Sequence, residues 1–304
     1  MKRIVWAVGF LALAGCEQTK PPTAEGLKLI AARTARGTVN TKLESKTQPS
    51  PPLAGNVSIW DFKVFDIADK PDGTRTEWKF FNALPQSSTD KSTTEVLMDA
   101  WLISKDRSVF LPQKPAYKQY GSFITDWTIP QAGFYTLWVE YQPVKAKDEL
   151  NFRDIQKAKA GLSFQHAQKE PDLAVEHARW EVAVGGTATS RSLTPSEHGG
   201  AFVVYSLDSN DYAAGTSLDV AIDPVKIISN QKTTFSTTIN GATGTIGEQS
   251  LTALSPDGQT LLHDIGANPQ LTFAQKGKWR AWFAFEVDGK PYVCPIDLVV
   301  KTAN

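Results

Sequence analysis

The chain is poor in the residues on which metal and redox chemistry rests. Its 304 residues include two cysteines, two methionines and four histidines. His166, His177, His198 and His263 are scattered singly, whereas metal centres need three or four protein ligands. Soft ligands for Cu(I) are equally scarce, since Met98 is the one methionine beyond the initiator. Charge of one sign is also missing: 32 basic residues stand against 32 acidic, so nothing calls for nucleic acid, whose binding usually shows as a strongly basic face. No apolar run approaches the roughly 20 residues of a membrane-spanning helix. There is no Gly-x-Ser-x-Gly elbow, no His-Glu-x-x-His pair and no phosphate-cradling glycine loop leading into a helix. The acidic stretch Asp208-Ser209-Asn210-Asp211 has Ala213 where a calcium loop needs its sharp-turn glycine, and no glutamate at the twelfth position. These gaps point away from an enzyme, so no catalytic residue and no cofactor are expected.

What is present begins at the N-terminus. Lys2 and Arg3 precede the run Ile4 to Ala14, broken only by Gly9, which then meets Gly15 and Cys16. A basic start, a short apolar stretch and small residues before a cleavage point make a signal peptide. Leu13-Ala14-Gly15-Cys16 resembles the lipobox of bacterial lipoproteins, which implies cleavage before Cys16 and lipid on its thiol. Several acyl chains on one residue anchor stably, at about 0.8 kcal/mol per buried CH₂. Glu17 follows, where an aspartate would favour retention at the inner membrane, so the expected place is the outer membrane, facing the periplasm. Loss of residues 1–15 removes Lys2 and Arg3 and leaves a net charge of about −2. With Cys16 lipidated, Cys294 has no disulfide partner, and within Tyr292-Val293-Cys294-Pro295-Ile296 it reads as a small buried hydrophobe.

Residues 16–55 hold Pro21, Pro22, Pro49, Pro51 and Pro52 among polar residues and read as a flexible tether, with one helix-compatible island at Leu27 to Ala32. From Asn56 onward, short runs rich in Val, Ile, Thr, Phe and Trp alternate with Gly, Pro, Asp and Asn, the pattern of strands. Residues 145–173 depart from it and suggest a partly helical excursion. Asp288-Gly289 between two strand-like runs predicts a tight hairpin. Trp60, Trp101, Trp138, Trp180, Trp279 and Trp282 all fall in predicted strands, as core residues rather than as a sugar platform.

An internal repeat organises these strands. Ile103-Ser104-Lys105-Asp106 is followed by Gly133-Phe134-Tyr135-Thr136-Leu137-Trp138-Val139-Glu140-Tyr141. Leu254-Ser255-Pro256-Asp257 is followed by Gly277-Lys278-Trp279-Arg280-Ala281-Trp282-Phe283-Ala284-Phe285. Each aromatic strand carries Trp five residues beyond its Gly, and a period of two sets Tyr135, Leu137, Val139 and Tyr141 on the face opposite Trp138. The expected fold is therefore all-β, with two tandem immunoglobulin-like β-sandwich domains: 56–186, carrying the excursion between its last two strands, and 196–304. Gly185 to Pro195 reads as a polar hinge, so that each sandwich would fold alone.

The stretch from Trp101 to Pro143 resembles the periplasmic sandwich domains called YtkA-like, through Leu102-Ile103-Ser104-Lys105-Asp106, Gly121-Ser122-Phe123 and Pro130-Gln131-Ala132-Gly133-Phe134-Tyr135. The second half is similar in weaker form, through Leu254-Ser255-Pro256-Asp257-Gly258 and Lys276-Gly277-Lys278-Trp279. The resemblance implies an envelope protein, in some relatives one beside copper-handling genes. Relatives often carry His-x-His-Pro shortly after the Ser-x-Asp segment. Here the first half has Leu111-Pro112-Gln113-Lys114-Pro115, and the second retains only His263, a weak metal candidate. The reading is a non-enzymatic envelope lipoprotein, held to the membrane by lipid on Cys16, that meets an envelope protein partner through its sandwich loops. The alternative is a copper or heavy-metal handling accessory.

Overall fold

A computed structural model describes residues 27–31, 41–69, 75–80, 98–119, 122–141, 176–187, 192–197, 202–207, 213–214, 218–224 and 226–303. Among them regular structure is entirely strand. The first half contains β1 (Leu27–Ala31), β2 (Thr41–Gln48), β3 (Val57–Asp69), β4 (Arg75–Phe80), β5 (Met98–Ser104), β6 (Phe110–Gln113), β7 (Ala116–Gln119), β8 (Ser122–Thr128), β9 (Gly133–Tyr141) and β10 (Glu176–Val184). The second contains β11 (Ser196–Glu197), β12 (Tyr205–Ser206), β13 (Ala213–Ala214), β14 (Asp219–Asp223), β15 (Ile227–Ile228), β16 (Lys232–Thr234), β17 (Ser236–Asn240), β18 (Ile246–Leu254), β19 (Leu261–Ile265), β20 (Gln270–Thr272), β21 (Gly277–Val287) and β22 (Lys290–Lys301).

The first half forms two sheets, β1-β10-β9-β5-β6 and β2-β3-β8-β7, with β4 also on β3. Between them lies an apolar core in which Trp60 and Phe62 of β3 meet Leu102, Leu137 and Val182 of the facing sheet. The second half has a large sheet, β13-β12-β22-β21-β18-β19, facing the pairs β14-β17 and β16-β20. Its own core joins Phe235 and Phe273 to Trp279, Phe283 and Cys294. The hairpin at Asp288-Gly289 is present: both residues have positive φ, 50° and 74°, and Val287 opposes Lys290. Positive φ at both central residues matches the twist of the flanking strands, which is why Asp-Gly serves there.

The repeat holds at the level of single hydrogen bonds. Ser104 donates its hydroxyl to Asp106, and Ser255 to Asp257, each at 2.5 Å. The same hydroxyls accept the amides of Val109 and Thr260, each at 2.9 Å. The left-handed position is Arg107 (φ 63°) in one turn and Gly258 (φ 69°) in the other. Ile103 opposes Thr136 and Leu254 opposes Arg280, each partner three residues beyond a positive-φ glycine. Tyr135 Oη donates to the Gln131 carbonyl at 2.8 Å, as Trp279 Nε1 does to that of Gln275 at 3.0 Å. Strand order repeats too, β10-β9-β5-β6 against β22-β21-β18-β19.

Several expectations need correction. The segment read as a tether contributes two strands: Leu27–Ala31 pairs with β10, so it is not helical, and Thr41–Gln48 pairs with β3. Both lie at a sheet edge, where a strand needs one partner and polar side chains are the rule, so composition conceals them. After β2, the Pro52 carbonyl accepts the Gly185 amide at 3.0 Å and Leu53 bridges to Gly185. The expected hinge is anchored as well, because Leu193 is buried and its amide donates to the Ser108 carbonyl at 2.6 Å. Within residues 202–207 the strand is confined to Tyr205–Ser206, and short strands β6, β7 and β19 add to the sheets. The signal peptide and the 145–173 excursion lie outside the described residues.

A third apolar cluster joins the halves. Trp101, Ile103, Phe110 and Trp138 pack against Leu254, Leu261, Trp282 and Val293. Phe110 and Trp282 stack with centroids 4.6 Å apart and planes 8° from parallel. Charged groups interlock around them: Arg107 Nη2 donates to the Pro256 carbonyl at 2.7 Å, and Arg280 Nη1 to the Arg107 carbonyl at 3.1 Å. Arg179 lies 5.0 Å over the Trp138 ring and donates to the Gly258 carbonyl at 3.1 Å. Each half thus grips the other's Ser-x-Asp turn. Trp282→Ala is expected to lower stability by about 3–5 kcal/mol in denaturant unfolding. A double-mutant cycle with Phe110→Ala should give a coupling of about 0.5–1.5 kcal/mol. Additive effects would show that the stacked pair does not couple the halves.

Candidate functional site

Beside the third cluster the two halves part and leave a cleft of about 740 Å³, inside the roughly 300–1,000 Å³ range of small-molecule sites. From the first half, β5 contributes Asp99 and Trp101, β6 Pro112 with Lys114 just beyond it, and β8 Asp126 and Trp127. From the second half, β18 contributes Glu248, β19 His263, and β21 Phe285 and Glu286, with Tyr292 from β22. Alternation along β5 explains the placement: Ala100 and Leu102 enter the first core, while Trp101 and Ile103 face the other half. Asp99 shares the Trp101 face.

Register identifies a further correspondence. Pro112 opposes Trp101 on β5, and His263 opposes Thr252 on β18. Trp101 and Thr252 each stand three residues before the repeated serine, so Pro112 and His263 occupy equivalent places. Both line the cleft.

The electrostatics of the cleft centre on Asp99. Its side chain is only 5% exposed, and burial pushes its carboxyl up to about 7, with Lys114 opposing and Glu140 and Glu248 adding to the rise. Glu140 sits directly across the β5–β9 ladder from Asp99 and pairs with His177 at 3.2 Å. Lys114 forms an ion pair with Glu248, joining the halves at the rim. His263 tilts over Trp101 with centroids 4.7 Å apart, and its Nδ1 lies 3.0 Å from Thr252 Oγ1. Its Nε2 is buried without a partner among the described residues, and burial holds the imidazole below its ordinary pKa and therefore neutral.

Of the residues singled out in the sequence, Cys16, His166 and His198 lie outside the described residues. His177 is exposed beside Glu140. Among the described residues His263 is the one histidine in the cleft. Among the described residues no three His, Cys, Asp or Glu side chains converge in a way that could hold a metal ion. Cys294 is buried in the second core, which pushes its thiol up to about 12 and leaves it unreactive. The six strand tryptophans are all buried. Sequence reasoning missed Asp99, Lys114, Glu248 and Trp127. Asp99 did leave a signal, a lone carboxylate inside the otherwise apolar run of β5.

A carboxyl raised by burial opposes folding once it ionises. The stability it permits is fully present below its ordinary value of 3.8 and is lost as pH rises through about 7. Asp99→Asn should therefore be more stable than the parent above neutral pH, by up to roughly 4 kcal/mol, and melt at a higher temperature, with the difference vanishing towards acid. Melting curves across pH check this, and a variant less stable than the parent at alkaline pH would refute it. No protein-family model matches this chain, and no curated protein matches it.

Proposed function

We propose that this chain is a membrane-anchored envelope lipoprotein that works by binding rather than by catalysis. Its body is a pair of tandem immunoglobulin-like, YtkA-like sandwiches, and it is held through lipid on Cys16 at the outer membrane, facing the periplasm. The observation that carries the binding role is the cleft between the halves, with aromatic walls and a few polar groups at depth, the composition of a recognition site. This reading sets the contact surface at the cleft rather than at the sandwich loops. An envelope protein partner would reach it past Lys114 and Glu248.

Copper handling would need further donors around His263. Calorimetry with Cu(I) and Cu(II) decides between the readings: one equivalent bound at submicromolar dissociation constant, and lost in His263→Ala, would replace the proposal.

Two outcomes are expected. Cys16→Ser should move the protein from the membrane to the soluble fraction, and retention on the membrane would sink the anchoring. A photo-crosslinking side chain at Gln113, in the cleft wall, should capture a partner in intact cells, while one at exposed Lys232, on β16 of the facing layer, should not. Equal capture from both sites would overturn the cleft as the contact surface.

A further inference from the structure

Three polar groups on the cleft wall bear on what it could hold. Asp99 is buried, and its carboxyl is governed by desolvation and neighbouring charges with no hydrogen bond among them. Among the described residues Trp127 Nε1 and His263 Nε2 are buried and unpaired. Buried polar groups in folded proteins are nearly always paired, and exceptions point to function or to a missing partner. Asp99 is the costliest of the three, because a carboxylate loses more on leaving water than an indole or an imidazole does.

Charge narrows the partner. Among the described residues Asp99, Asp126, Glu248 and Glu286 line the cleft against a single lysine, Lys114, which is already engaged by Glu248. His263 adds no positive charge, because burial keeps it neutral. An anion would enter against this field, and a neutral molecule would gain nothing from the ionised form of Asp99. Trp101, Trp127, Phe285 and Tyr292 supply aromatic surface, which tolerates an organic cation well. Asp99 lacks hydrogen-bond donors, so the cation should bring N–H groups and form charge-assisted bonds. A quaternary ammonium has none to offer.

On the reading of the cleft as a binding site, we infer that it takes a small organic amine in its protonated form, with an ammonium group seated against Asp99. The rim carboxylates Asp126 and Glu286 suit a second ammonium on the same molecule. The groups facing Asp99 are Lys114, Glu140 and Glu248, and of these only Lys114 competes with the ligand for it. Because Asp99 must be ionised to bind, affinity should fall as the solution is acidified through about pH 7.

The test is calorimetric titration of the full chain with butane-1,4-diamine, with n-butanol and butanoate as controls. The diamine should saturate with a dissociation constant of about 1 mM or tighter, while the controls give no saturable heat. Affinity should weaken several-fold between about pH 8 and about pH 6. Asp99→Asn should weaken it at least about tenfold, with its melting curve showing that the variant is folded. Trp127→Phe, which keeps an aromatic ring and removes the N–H, should cost less than Asp99→Asn. No saturable binding up to about 10 mM, or unchanged affinity in Asp99→Asn, overturns the inference. Butanoate or butanol binding in place of the diamine overturns the cation assignment and leaves the cleft a binding site. Loss of the Gln113 crosslink with diamine binding intact sinks the partner proposal alone.

Discussion

The structure depends on the burial of two sheet faces against each other. In an isolated sandwich, the outer face of β10-β9-β5-β6 would lie in water, as would that of β22-β21-β18-β19. Here each face carries a tryptophan at the same repeat position, Trp138 in one and Trp282 in the other, and both enter the shared third cluster. Burying a side chain of that size contributes a few kcal/mol, comparable with a large part of a domain's net stability. The arginine contacts around the cluster add direction to this non-directional attraction. Arg107, Arg179 and Arg280 hydrogen-bond to carbonyls of the opposite turn, and so set how the faces meet.

The cleft follows from the same packing. Each sheet face changes along its strands from large apolar side chains to polar ones, and where the apolar part ends the faces separate. Asp99 stands at that border. Its neighbours Met98 and Ala100 are committed to the first core, so the strand holds its carboxyl at depth whether or not a cation is there to meet it. A group that lowers stability above neutral pH and lies in a cleft is consistent with the proposed binding role. Lys114 and Glu248 pair across the mouth and tie access to the mutual position of the halves.

The fold was largely legible because its signals are local. Runs rich in β-branched and aromatic residues pointed to β3, β5, β9 and β21, and the predicted split between Tyr135, Leu137 and Val139 on one side and Trp138 on the other is the split between the first core and the shared cluster. Edge strands escaped notice. Thr41–Gln48 buries Leu43 alone among the side chains described there, and its stability comes from backbone pairing with β3, which composition does not record. The docking of Leu193 was hidden for a similar reason, since a polar stretch with one leucine reads as a linker until its partner surface is known.

Composition and pattern by themselves determined the all-β class, the repeated Ser-x-Asp turn, the Asp288-Gly289 hairpin and the burial of the tryptophans, because each rests on contacts within a few residues or on the period of a strand. Only the tertiary structure decided what the second face of the repeated sheet does. It brought Asp99 and Lys114 from one half to Glu248 and His263 from the other, more than a hundred residues away along the chain. Such a site is written in no local pattern, because its residues become neighbours only when two sheets, each complete in itself, bury their outer faces together.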